Sequence, residues 1–101
     1  MSKRGASGTR FVFRLYIAGD APHSAQAVAN FKLICEKYLQ DCHQVEVIDV
    51  LKDPRSALKD GVLVTPTLVK VSPAPPTKII GDLSQTTKVI WALGLGEMKH
   101  E

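Results

Sequence analysis

The stretch Phe11-Val12-Phe13-Arg14-Leu15-Tyr16-Ile17-Ala18, followed by Gly19-Asp20-Ala21-Pro22-His23-Ser24, decides the fold. In its first part Phe11, Phe13, Leu15 and Ile17 share one face of an extended chain, and the opposite face is almost as apolar. That pattern predicts a strand covered on both sides, in the middle of a sheet. The second part is turn chemistry feeding a helix: Asp20 or Ser24 can cap it, and Pro22 is tolerated in the first turn, where no backbone N–H is needed. Ala27, Val28, Phe31, Ile34, Cys35 and Tyr38 then fall on one stripe at helical spacing, with Gln26, Asn30 and Lys37 opposite, predicting a helix over 24–40.

Outward from this unit, Val45, Val47, Ile48 and Val50 form a second β-branched run. Strand, helix and strand make a βαβ unit, whose two strands are parallel with a right-handed crossover. Asp53-Pro54 opens a short helix, with Asp53 capping and Gly61 stopping it. Leu63 to Val71 is again strand-like, but Pro66 interrupts it, which implies either an edge strand or a bend at the proline. Pro73, Pro75 and Pro76 fill a turn before Lys78-Ile79-Ile80-Gly81, a strand long enough only for a hairpin partner. Asp82 and Ser84 are N-cap candidates for a last helix over about 85–93. Its apolar positions are Val89, Ile90 and Leu93, and Gly94 and Gly96 end it. The class is α/β, and the order β-α-β-α-β-β-α with a proline at the start of the third strand is that of the thioredoxin fold.

The chain has 101 residues, 45% of them hydrophobic, and a formal net charge of +3. This size supports one core and excludes a two-domain enzyme with an interdomain cleft. The first ten residues hold Lys3, Arg4 and Arg10 and no acid, so the rest is neutral by formal count. The expected organisation is a disordered basic arm at 1–9, a single domain at 10–96 and a short tail at 97–101. A charge-balanced domain argues against nucleic acid as the partner, and deleting the arm would test a salt-sensitive affinity. No apolar run approaches the roughly 20 residues that span a bilayer, and the first residues lack a signal-peptide pattern. The expected location is the cytoplasm, away from membranes.

A thioredoxin-type oxidoreductase needs a thiolate at the first turn of its first helix, where the helix dipole lowers its pKa. Here that place reads Ala21-Pro22-His23-Ser24, and Cys35 and Cys42 are too far apart for a CxxC pair. Cys35 reads as a core residue. His23, His43 and His100 lack metal-ligand spacing, Asp49 reads as paired or at the sheet's end, and Gly81-Asp82-Leu83-Ser84 is no phosphate-binding loop. These readings point away from an enzyme and from any metal or cofactor. Five of the six prolines lie in the second half. An X–Pro bond separates two backbone arrangements by a barrier of roughly 18–20 kcal/mol with little difference between them, so such a segment can hold two slowly exchanging structures or simply shape turns.

Four motifs in order resemble the KaiB family of circadian clock proteins: Leu15-Tyr16-Ile17-Ala18-Gly19 with Pro22 and Ser24; Val47 to Pro54; Thr65-Pro66-Thr67-Leu68; and Ile79 to Ser84. The resemblance implies a non-enzymatic partner of the KaiC ATPase with two folds. One is a ground state, often tetrameric, with a different arrangement of the second half; the other is a monomeric thioredoxin-like state that binds KaiC. It also implies capture of KaiA through the second strand, competition with a related sensor kinase, and self-association to dimers or tetramers. The partner-binding residues it implies are Gln26, Lys70, Gly81 and Asp82, with Phe11, Gln44 and Glu46, and the conformational elements are Pro66, Pro73, Pro75 and Ala92.

Two further departures from the family accompany the basic arm. An acidic C-terminal tail is missing, and Ala92 stands where clock members often carry glycine. Alanine is favoured over glycine in a helix interior by about 1 kcal/mol, which biases the chain towards the thioredoxin-like state and suggests a role in stress or signalling without KaiA. A thioredoxin-like redox protein acting through Cys42 is the alternative, and inert thiols would remove it.

Overall fold

The two-sided apolar character of residues 11–17 is realised in a computed structural model that describes residues 10–39 and 43–95. Strand β1 (Phe11–Ile17) leads into α1 (Pro22–Ile34), which continues as a π-helical turn over Cys35–Leu39. There follow β2 (His43–Asp49), α2 (Pro54–Lys59), β3 (Thr67–Ser72), β4 (Thr77–Ile80) and α3 (Thr86–Ala92). The expected arm, tail and Gly96, and Cys42, lie outside the described residues.

The four strands make one sheet in the order β2-β1-β3-β4. β1 runs parallel to β2, with Phe13 opposite Val45 and Leu15 opposite Val47, and antiparallel to β3, with Leu15 opposite Leu68. β4 pairs antiparallel with β3 as a hairpin partner. Pro66 settles the choice left by its position: β3 is interior, and the strand begins one residue after the proline. The Thr65–Pro66, Ser72–Pro73 and Ala74–Pro75 peptide bonds are cis.

The two faces of the sheet are unequal. One carries the main core, where Phe13, Leu15 and Leu68 of the sheet meet Ala27, Phe31 and Ile34 of α1 and Val89, Ile90 and Leu93 around α3. Phe13 packs edge-on against Phe31 with ring centroids 4.8 Å apart. Each fully buried leucine or phenylalanine here contributes roughly 1.5–3 kcal/mol. The other face holds a smaller cluster of Tyr16, Ile48, Ala57, Val62 and Val69.

The helix ends separate one correct cap from two corrected ones. Asp53 caps α2 as expected, accepting from the Ser56 N–H at 3.3 Å and the Ser56 hydroxyl at 2.8 Å. Gly61, at φ +70°, follows α2 in the left-handed region that glycine adopts without strain. Neither Asp20 nor Ser24 caps α1, whose N-cap is Ala21 without a side-chain bond. Ser24 lies inside the first turn, and its hydroxyl accepts from the Ala18 N–H at 3.0 Å, tying α1 back to β1. Likewise the N-cap of α3 is Gln85, and Asp82 spends its carboxylate on the Ser84 N–H two residues on, an Asx turn that shapes the loop before the helix.

Candidate partner-binding surface

The strand directions bring four loops to one end of the sheet: those leaving β1, β2 and β4 and the one entering β3. Asp49, last residue of β2, organises the first pair, since its Oδ1 accepts from the Gly19 N–H at 3.0 Å and the Leu51 N–H at 2.9 Å. These two backbone donors hold its carboxyl below the ordinary aspartate range. The second pair is joined by the Gly81 N–H, which donates to the Pro66 carbonyl at 3.0 Å. Asn30 of α1 reaches the same loop, donating to the Asp82 carbonyl at 2.8 Å, and His23 Nδ1 lies 3.7 Å from Asp82 Oδ2. Around this framework Leu51, Leu63 and Val64 stand 72%, 90% and 49% exposed. Their apolar side chains beside backbone held in fixed geometry suit a surface for docking another protein.

The expected binding residues divide into three places. Gln26 sits one helical turn before Asn30 on the exposed side of α1, so it shares a helix face with the residue that reaches Asp82. Gly81, Asp82 and Pro66 thus come together at the loop-bearing end, and Gln26 lies in the first half of α1, which starts there. Gln44 and Glu46 are exposed on β2, an outer strand whose far side carries no pairing strand among the described residues. Phe11, opposite His43, and the turn with Pro73 and Pro75 lie at the opposite end of the sheet. Ala92 is the last residue of α3 and is exposed.

Lys70, a partner-binding residue by the resemblance, is not on the surface. It stands opposite Phe13 and Thr77 and is only 5% exposed. The period-two alternation puts it on the face of Leu68, under the main core side of the sheet.

The other face carries a polar network that no sequence motif marks. Tyr16, wholly buried on β1, directs its hydroxyl to Asp60 Oδ2 and, at 3.1 Å, to the Ser56 carbonyl. Arg14 Nη1 donates to both Asp60 oxygens at 3.1 and 2.9 Å. Burial alone would raise the Asp60 carboxyl, but the Tyr16 and Arg14 hydrogen bonds and the positive charges of Arg14 and Lys78 outweigh it and hold it low. Burial and the bond to Asp60 push the Tyr16 phenol up to about 12. The network borders a cleft of about 200 Å³ lined also by Glu46 and Lys59. One signal is present in the sequence: in a run apolar but for Arg14, a tyrosine hydroxyl needs a buried partner.

Cys35 packs in the main core, where burial and then the nearby Glu36 charge push its thiol up to about 12, the opposite of a reactive thiolate. Among the described residues no His, Cys, Asp and Glu cluster could hold a metal, and no helix is long and apolar enough to cross a membrane.

Comparison with known proteins agrees with this geometry. The KaiB domain family matches residues 14–95. Circadian clock protein KaiB3 of Synechocystis is 48% identical over 86 residues, covering 85% of this chain and 84% of the relative. Circadian clock oscillator protein KaiB of Synechococcus elongatus is 45% identical over 91 residues, covering 88% of this chain and 89% of the relative. Among solved structures, the N-terminal domain of Synechococcus elongatus SasA superposes with a TM-score of 0.73 at 20% identity, over 100% of this chain and 95% of that one. Mitochondrial thioredoxin 3 of Saccharomyces cerevisiae superposes with a TM-score of 0.69 at 18% identity, over 87% and 81% of the two chains. The last two establish the thioredoxin-like fold, and the family match with the two clock relatives establishes ancestry: the chain belongs to the KaiB family.

Proposed function

We propose that this protein is a non-enzymatic regulator that binds a KaiC-type ATPase in the cytoplasm through its thioredoxin-like arrangement. A second arrangement of residues beyond about 50 exchanges with it slowly. The binding mechanism is population shift: the ATPase selects one arrangement, and slow exchange delays assembly. The observation that carries the reading is the conjunction of KaiB-family sequence with a thioredoxin-like fold whose α1 entrance, Ala21-Pro22-His23-Ser24, has no thiol, while Cys35 is buried. The fold keeps the loop-bearing end of a thioredoxin and lacks its chemistry there, which leaves that end for docking.

Gln26, Gly81 and Asp82 form the contact surface for the ATPase in this reading, with Lys70 supporting the sheet behind it. The outer edge of β2, with Gln44 and Glu46 exposed and Val47 50% exposed, pairs with no strand among the described residues and offers its backbone to a further partner such as KaiA or a KaiB-like sensor kinase by strand addition. The test is size-exclusion chromatography of the full chain with a KaiC-type ATPase, with and without ATP. Co-elution that needs ATP supports the reading. Separate elution under both conditions overturns it.

A further inference from the structure

The halves of the molecule meet differently on the two faces of the sheet. On the main-core face the contact is broad and apolar. On the other face α2, of six residues, buries only Ala57, in a cluster with four other side chains. A helix that short does not persist alone, so its position depends on what holds it to the sheet. The holding group is Asp60, the residue just after the helix. Its carboxylate takes Tyr16 and Arg14 of β1 across 44 and 46 positions of sequence. Lys78 of β4 closes the same corner, its Nζ donating to the Gly61 carbonyl at 3.4 Å.

The phenol carries one proton and has two acceptors within reach, both in the α2 segment. The nearer one is charged, so the proton goes to Asp60, with the Ser56 carbonyl as a weaker fallback. Ser56 C=O already accepts from the Asp60 N–H at 3.1 Å. If the α2 segment leaves the sheet, the charge-assisted Tyr16–Asp60 bond, made in a site shielded from water, gives way to weaker bonds to solvent. Arg14, whose side chain is 38% exposed, can return to water. The penalty for departure therefore concentrates on Tyr16 and Asp60.

We propose that the Tyr16–Asp60–Arg14 network is a latch that sets the balance between the thioredoxin-like arrangement and the alternative arrangement of the second half. It rests on the two-arrangement reading above. The latch acts on the resting population, and no partner is needed for it to operate. Because both β1 residues precede the segment that rearranges, they form a fixed strike plate, and Asp60 is the moving bolt.

The test uses the full chain without any ATPase. Asp60→Asn and Tyr16→Phe are compared with the unaltered protein by the relative intensities of the two sets of backbone amide resonances. The expected result is a roughly three- to tenfold fall in the thioredoxin-like share relative to the other form in Asp60→Asn, with the double variant no lower than the more affected single one. Tyr16→Phe, the milder change, keeps the test decisive should Asp60→Asn fail to fold. An unchanged ratio in both variants, with only easier unfolding by urea, overturns the latch. A single set of resonances in all three proteins overturns it together with the two-arrangement reading. ATPase co-elution of the unaltered chain is scored separately, so failure of binding and failure of the latch are distinguishable.

Discussion

Replacing Ala92 by glycine is a clean probe of which arrangement the chain prefers. Ala92 is exposed, so loss of its methyl group forfeits little packing and the change acts through the backbone. In a helix interior the substitution costs about 1 kcal/mol. Ala92 is the last residue of α3 rather than an interior one, but the chain remains bonded past it: Leu93 N–H donates to the Val89 carbonyl at 3.0 Å and Leu95 N–H to the Ile90 carbonyl at 2.9 Å. Between half and all of the interior penalty therefore applies, about 0.5–1 kcal/mol, which is roughly a two- to fivefold change in population. The assay is the ratio of resonances from the two forms for residues 85–95 in Ala92→Gly and the unaltered chain. The thioredoxin-like share should fall by that factor. An unchanged ratio would mean that residue 92 has the same backbone conformation in both forms and would remove the helix-propensity effect.

Three other outcomes follow from the structure. Leu68→Ala removes a side chain with no exposed surface from the middle of the main core, and the loss in urea unfolding should be about 2–5 kcal/mol; a loss below about 1 kcal/mol contradicts the core assignment. Cys35 should resist alkylation at pH 8 while folded and react once urea unfolds the chain, as read by mass spectrometry of its peptide; rapid labelling in the folded state contradicts its raised pKa. Asp60 has a folded-state pKa below its unfolded value, so its contribution is complete above the unfolded value near 3.9 and is lost as pH falls through the folded one. Urea midpoints measured downward from pH 5 should fall less steeply in Asp60→Asn than in the unaltered chain, and equal slopes would contradict the assignment.

Periodicity made much of the fold readable in advance. The two apolar faces of residues 11–17 placed β1 in the sheet interior, and the stripe Ala27, Phe31 and Ile34 is the buried face of α1, carried on by Cys35 in the π-helical turn. Asp53-Pro54 announced α2 because the capping bond spans only three residues. What stayed hidden depends on long-range pairing. Asp60 reads in sequence as the polar end of a short helix, and only the register of β1 against the second half shows that it faces Tyr16. Ser24 and Asp82 carry the residue types of N-caps, yet each is engaged beside the helix: Ser24 by the end of β1, Asp82 by its own loop. Lys70 looks solvated by type and is buried by place, since the strand next to it carries Phe13. For the candidate surface, Gly81 and Asp82 stood out as a turn and cap, whereas the link from Asn30 that fixes their loop to α1 has no local signature.

In the proposed function a KaiC-type ATPase binds the thioredoxin-like arrangement. Val12 and Ser72 are paired across β1 and β3, so Val12→Cys with Ser72→Cys, in a background with Cys35 and Cys42 changed to serine, places two thiols where a disulfide would lock that pairing. Co-elution with the ATPase in ATP, before and after reduction, is the direct measurement. The oxidised, locked chain should bind at least as completely as the reduced one and reach its plateau sooner, because no rearrangement precedes docking. Binding by the reduced chain alone, with the locked chain intact and folded, would contradict it.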